Sequence, residues 1–470
     1  MEVQSVVNFA IDVFSLVAIF FEGYDQGVMG GVNAFAGLLY IALGVYLAAL
    51  PVAGWLADRI GRINGLLFGS FFALVGGALQ ASLQSSNFML IARVVTGIGT
   101  GALTGITPVL VSETSPAEHR GGYLGYVLIA NYLGISVAYW LSFGLSFINH
   151  GYSDFRWRFL LAFQCIPAII LTTCIKALPD SPRYLASVGR TDKARELMNC
   201  IRRRKANQKE IDRDKGGRLG ANLDRRAWLC LLLQIMASWT GITAVTAYSP
   251  VLLNQAGYSE IKQNGLAGGL NTIGIVSTII SAQIVDRLGR RNCLMLGSAI
   301  LFTVELVAGS LYEGSLRHPE NAAYYALGAA TWGTVAFLMP TEIFPSGLPA
   351  QGNGFGITGW ALGVGMTTLV NPILLDNLKS HSYFLLAGFN LIWVSIVYSF
   401  YPETCNRSLE SIEALFSTPS RFYWEMERVC RLHGNVLGER EIEGVHGEET
   451  NKSAGQDLFH AGYQESFSAC

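Results

Sequence analysis

Asp58-Arg59-Ile60-Gly61-Arg62 returns, 228 positions further on, as Asp286-Arg287-Leu288-Gly289-Arg290, with Arg291 behind it. Glu113 in Ser112-Glu113-Thr114-Ser115-Pro116 and Glu342 in Thr341-Glu342-Ile343-Phe344-Pro345 repeat at an offset of 229. A third pair, Pro179-Asp180-Ser181-Pro182-Arg183 and Pro402-Glu403-Thr404, closes each half. The near-constant offset of the first two pairs means duplication, and the third closes each half: two copies in the same orientation, packed about an axis normal to a membrane.

A membrane is implied by what surrounds the repeats. Of the 470 residues 51% are hydrophobic and 14% charged, with mean hydropathy +0.36, more apolar side chain than one soluble core can use. Fifty-two glycines suit close helix packing in lipid. A span needs roughly 20 apolar residues to cross about 30 Å of hydrocarbon. Twelve runs meet that need: Val6 to Val32, Ala34 to Leu56, Gly65 to Ser85, Phe88 to Val111, Tyr123 to Ile148, Phe159 to Leu178, Ala227 to Leu253, Gly265 to Val285, Cys293 to Tyr312, Ala322 to Phe344, Gln351 to Leu375 and Ser382 to Tyr401. The expected fold is an all-α membrane protein, its twelve transmembrane helices in two pseudo-symmetric six-helix bundles. Residues 1–182 form the first bundle and 227–416 the second. Between them 183–226 is a basic helical linker, including Arg202-Arg203-Arg204-Lys205; 417–470 is a polar, loosely ordered tail with an aromatic patch at Phe422 to Trp424.

The positive-inside bias places the linker, and with an even span count both termini, in the cytoplasm. Arg156 and Arg158, beside an outer loop, run against that bias. The first apolar run lacks a signal-peptide cleavage site and is read as a retained span. A net charge of -1 argues against a nucleic-acid partner. Eight scattered cysteines without a Cys-x-x-Cys pair argue against disulfide or metal frameworks. Gly97, Gly99 and Gly101, and again Gly352, Gly354 and Gly356, have the spacing of a dinucleotide loop, but within spans they read as packing surfaces. No nucleophile-base pair or phosphate loop stands in a plausible setting, so no enzyme, metal or cofactor is expected.

Asp25 lies in an apolar run, where an ionised carboxylate costs several kcal/mol unless paired or hydrated. The competing reading puts it at the outer helix end, since Gly27, Gly30 and Gly31 follow at once. Arg93 faces the same choice, between a counter-charge and a side chain snorkelling at the start of span four.

These residues resemble the sugar porters of the major facilitator superfamily, the fungal monosaccharide-transporter-like branch among them. The resemblance runs from Phe20 to Leu415. It rests on Phe21-Glu22-Gly23-Tyr24-Asp25-Gln26-Gly27-Val28-Met29-Gly30-Gly31, Gly54-Trp55-Leu56-Ala57 before the first repeat, Arg93-Val94-Val95-Thr96-Gly97-Ile98-Gly99-Thr100-Gly101, the run ending at Arg183, and Pro402-Glu403-Thr404. It implies the major facilitator fold and alternating access without cofactor or covalent chemistry. The implied partners are a small sugar or polyol, protons and membrane lipid, at a plasma-membrane address. Asp25 would accept the proton and Arg93 would be its counter-charge. Asp58, Arg59, Arg62, Glu113 and Arg120, with Asp286, Arg287, Arg290 and Glu342, resemble the inner-side charge network that gates such carriers.

Sugars need many hydroxyl partners and an aromatic platform. Asn131, Gln234, Thr243, Tyr248, Asn271, Trp332, Trp360 and Asn371 are the candidates, each weighed against ordinary interhelical packing. The sequence departs from the family at Ala237-Ser238, in place of two glutamines, and at Thr243, Leu128 and Phe337. The first outer loop, Asn33 to Gly37, is short, the stretch from Glu313 to Trp332 is clipped, and Pro349 replaces the arginine expected after Glu342. Proton symport is the first functional reading; a uniporter, a polyol or secondary-metabolite carrier, and a non-transporting solute sensor are the alternatives.

Overall fold

In hydrocarbon every backbone polar group must find its partner within the segment, and a long apolar run does so as a helix. The computed structural model describes residues 2–36, 59–82, 84–114, 120–148, 154–202, 223–241, 250, 259–315, 349–378, 381–403, 416 and 422–428. Helices α1 (Glu2–Ala36), α2 (Arg62–Ala81), α3 (Ser86–Thr114) and α4 (Arg120–Leu145) carry spans one, three, four and five. Span six is α5 (Asp154–Phe163) and α6 (Cys165–Cys174). The linker begins with α7 (Pro182–Ser187) and α8 (Thr191–Arg202). Then come α9 (Leu223–Ser238), α10 (Glu260–Leu288), α11 (Arg290–Ser315), α12 (Pro349–Leu378) and α13 (His381–Phe400), in spans seven, eight, nine, eleven and twelve. Spans two and ten lie outside the described residues.

In the first half α1 packs on α4 and α2 on α3; in the second α9 packs on α12 and α11 on α13. The halves meet along α4 and α10, with a smaller contact between α3 and α12. Two glycines set how near α1 comes to α4. A Cβ on Gly23 would fall on the Asn131 carbonyl, and one on Gly134 on the backbone of Phe20 and Tyr24. The Gly97 to Gly101 run lies within α3, where a Cβ on Gly99 would strike the backbone of Ala73 and Gly69, so it packs helices. Apolar side chains such as Phe71, Ile91, Ile170, Val276 and Ile392 point outward, as lipid-facing positions must.

Several expectations change. The stretch Asn33 to Gly37 is helical as far as Ala36, because Ala34-Phe35-Ala36 continues α1 without a breaker. Span six is broken at Gln164, three residues before Pro167, whose ring nitrogen leaves the Phe163 carbonyl without its helical donor. The charged repeats are not loops: Asp286 and Arg287 end α10, one glycine follows, and Arg290 starts α11. The helix of span seven stops at Ser238, with Gly241 left-handed behind it at φ 86°. α9 starts at Leu223, ahead of the boundary expected at 227. Pro349 opens α12, where a missing N–H costs nothing. Residues 422–428, read as loose tail, dock instead: Phe422 stacks on Phe400, Trp424 lies 6.2 Å from the Tyr398 ring, and Met426 is buried. Their aromatic and apolar side chains find a ready surface at the end of α13.

Candidate functional site

Asp25 stands eleven residues before the end of α1, so the helix-end reading of this carboxylate falls away. Arg93, two turns into α3, places Nη1 2.5 Å from Asp25 Oδ1, and both side chains are 2% exposed. The same Nη1 donates to Gln80 Oε1 on α2 at 3.1 Å, and Gln80 Nε2 donates to the Thr96 hydroxyl at 2.5 Å. Thr96 in turn donates to the Ala92 carbonyl. A single chain of polar contacts thus joins α1, α3 and α2 inside an apolar bundle. One turn from Asp25, Glu22 is buried as well, accepting from Gln26 Nε2 at 3.1 Å and bonded to Thr104. Neither Gln80 nor Glu22 was picked out from the sequence. The signal for Gln80 was an amide in an apolar span, and for Glu22 an acid three residues before Asp25.

A second polar constellation sits at the repeat motifs. Gly61 takes φ 99°, turning the chain so that Arg62 begins α2, and the Arg62 amide donates to Asp180 Oδ1 at 2.9 Å. In the second half Gly289 takes φ 85°, and the amides of Arg290 and Arg291 donate to the two oxygens of Glu403 at 2.9 and 3.1 Å. Each half therefore uses the carboxylate that closes its last span to cap the helix behind its charged motif. Burial raises the pKa of the Asp180 carboxyl; amide bonds from Ser181, Arg62 and Ile63 and the Arg62 charge oppose that shift.

The Arg62 guanidinium binds both oxygens of Glu113 at 3.1 Å, and Ser181 donates its hydroxyl to the same carboxylate. Arg291 donates to the Tyr398 carbonyl at 2.8 Å and lies 3.8 Å from the centre of the Tyr423 ring. Arg290 is buried and Arg59 exposed. Asp58 and Glu342 lie outside the described residues, and of Arg120, Asp286 and Arg287 only the helical backbone is described.

Arg156 and Arg158 have tasks at the opposite end. Arg158 donates to the Ala81 carbonyl and packs over Trp157. Arg156, fully buried, places Nη2 3.0 Å from Glu260 Oε1 at the first residue of α10. That ion pair crosses between the halves. Below it the seam continues with Asn264 donating to the Ser146 hydroxyl and Trp140 to the Thr272 hydroxyl, both at 2.9 Å.

Of the solute candidates, Asn131 on α4 and Asn271 on α10 lie on the helix pair that joins the halves. Asn271 is buried and donates to its own Ala267 carbonyl. Gln234 on α9 and Trp360 on α12 belong to another packed pair, in which a Cβ on Gly359 would meet the Leu231 backbone. Asn371 is buried further along α12. Thr243, Tyr248 and Trp332 lie outside the described residues.

The family described as "Sugar (and other) transporter" matches residues 38–416, most of the chain. The chain belongs to that family. Among its curated sugar-transporter-family relatives, the sugar transporter STL1 of Saccharomyces cerevisiae is 30% identical over 80% of this chain and 71% of its own. The MFS-type transporter criB of Aspergillus cristatus is 28% identical over 90% of this chain and 94% of its own. Among solved structures, the proton:xylose symporter XylE bound to 6-bromo-6-deoxy-D-glucose superposes with a TM-score of 0.76 at 20% identity. It covers 88% of this chain and 100% of that one, and shows the fold to be that of the major facilitator superfamily. Within this transporter family the buried charges above acquire a natural context, a membrane carrier built from two helical halves.

Proposed function

We propose that the protein is a secondary active carrier that moves a sugar or related polyhydroxylated solute together with a proton. The observation that carries the reading is the Asp25–Arg93 pair, an acid and a base buried against each other in mid-span. Charges in that position are costly and are retained where they work. When Asp25 takes a proton, the ion pair loses its attraction and Arg93 is left on Gln80 alone, which biases the packing of α1 against α3. Related proteins named as an arabinose-proton symporter and a proton:xylose symporter support a coupled mechanism.

The two bundles, 1–182 and 227–416, rock about a midplane solute site to which Asn131, Gln234, Asn271, Trp360 and Asn371 contribute, with Thr243, Tyr248 and Trp332. The charges at the repeated motifs, Asp58, Arg59, Arg62, Glu113 and Arg120 with Asp286, Arg287, Arg290 and Glu342, hold the cytoplasmic side. Arg156 with Glu260 clasps the outer side. The protein resides in the plasma membrane with both termini cytoplasmic.

Competition for uptake of a labelled solute across hexoses, pentoses, disaccharides and polyols tests the substrate class. Inhibition confined to polyhydroxylated compounds is expected, and inhibition by none of them overturns the reading. Removing residues 429–470 separates a carrier from a solute sensor: a carrier truncated there still moves solute, whereas loss of a downstream response with no uptake at any stage marks a sensor.

A further inference from the structure

Glu305 is an acid in the middle of span nine that the scheme above does not use. It is 3% exposed. Asn390, fully buried on α13, donates Nδ2 to Glu305 Oε2 at 2.7 Å. The same Nδ2 lies 3.5 Å from the Thr240 carbonyl and 3.3 Å from the Leu386 carbonyl, so three acceptors fix which way the amide faces. The other carboxyl oxygen, Oε1, sits against Gly241, where any Cβ would collide with it. Thr240 and Gly241 are the point at which the helix of span seven ends, with Gly241 left-handed. Glu305 therefore ties spans seven, nine and twelve together at a break in the span that opens the solute candidates.

The surroundings decide what this carboxyl can bind. A helix C-terminus presents carbonyls and a partial negative charge, so an ionised carboxylate against it is repelled. Among the described residues no cation pairs with Glu305. The ionisable groups on the neighbouring helices are His381, Tyr383 and Tyr398 on α13, Cys230 and the terminal Asp224, Arg225 and Arg226 on α9, and Glu260, Lys262, Asp286 and Arg287 at the two ends of α10. Among the described contacts none of them bonds to the carboxyl, whose partner is Asn390. A metal cation would need several oxygens converging on it, whereas here an N–H donor points into the site.

We propose that Glu305 is a second proton-binding site, in the second half, that governs the break in span seven. With the proton bound, the carboxyl donates to the Thr240 carbonyl and holds the helix end against α11. With the proton gone, the carboxylate keeps its bond from Asn390 and pushes the helix end away. The proposal rests on the carrier reading, but its test does not need the solute.

Infrared difference spectra between acid and alkaline pH, taken on the full-length protein in proteoliposomes, should contain a buried protonated-carboxyl band. Glu305→Gln removes one component of that band, Glu305→Asp keeps that component at a shifted midpoint and so controls for folding, and Asp25→Asn leaves the Glu305 component in place. Hydrogen exchange of amides 235–241, corrected for intrinsic rate, is slower at acid than at alkaline pH in the wild type and pH-independent in Glu305→Gln. A band left unchanged by Glu305→Gln, or exchange that keeps its pH dependence there, overturns the proposal. A band that responds to replacing sodium by choline at constant pH overturns it in favour of a cation site. If Asp25→Asn leaves proton-coupled uptake intact while the Glu305 results hold, the coupling assignment fails and this one stands.

Discussion

Asp25 and Arg93 neutralise each other where neither could stay charged alone, and removing one partner of a buried pair leaves the other stranded at a cost of about 3–5 kcal/mol. Gln80 holds the arginine from a third helix. Gln80→Leu is therefore expected to lower stability by about 1–3 kcal/mol through the lost bond to a charged donor, measured by thermal unfolding of the purified protein, while Asp25 and Arg93 remain paired. Gly23→Ala is harsher: its methyl group would occupy the Asn131 carbonyl, so a loss of about 1–3 kcal/mol or more is expected in the same assay. The charged pair was legible in the sequence because the penalty for charge in lipid makes any mid-span Asp or Arg stand out. Gln80 was not, since an amide carries no such penalty and its partner, Arg93, comes from another helix. Glu22 and Glu305 escaped for a different reason: Glu22 stands three residues from Asp25, which took the functional reading of that run, Glu305 sits in a run whose other residues read as packing, and only the fold reveals what their carboxyls touch.

At the scale of elements, the repeated motif, described from Arg59 in the first half and from Asp286 in the second, is helical up to a glycine of positive φ, after which a second helix begins whose first amides are capped from the far end of the same half. Asp180→Ala should cost about 1 kcal/mol, and Asp180→Asn less, because asparagine also caps well. Glu403→Ala should cost a similar amount in the second half, where its carboxylate holds the amides of Arg290 and Arg291. Duplication was visible in the sequence as an offset. The capping was not, for Asp180 and Arg62 are 118 positions apart and no local pattern joins them. Helix ends were the least legible feature: Gly241 stops span seven and Pro167 interrupts span six, although hydropathy runs on through both.

Across the whole molecule, the halves meet on a seam between α4 and α10 in which Tyr132, Trp140 and Phe143 pack against Gly274, Gly268 and Gly265, clasped at one end by Arg156 and Glu260. A carrier that rocks must part that clasp whenever the outer side opens. Arg156→Glu should raise outer-side thiol labelling of a cysteine placed in the seam, and the exchange Arg156→Glu with Glu260→Arg should restore wild-type labelling. The two arginines that run against the positive-inside bias are engaged there, Arg156 by Glu260 and Arg158 by the Ala81 carbonyl. The measurement that bears most directly on the carrier is proton movement during solute uptake, followed with a pH-sensitive dye inside proteoliposomes. Wild-type protein is expected to acidify the lumen as the solute accumulates, and Asp25→Asn to let the solute equilibrate without proton flux; uptake with no proton movement in the wild type, unchanged in Asp25→Asn, would contradict it.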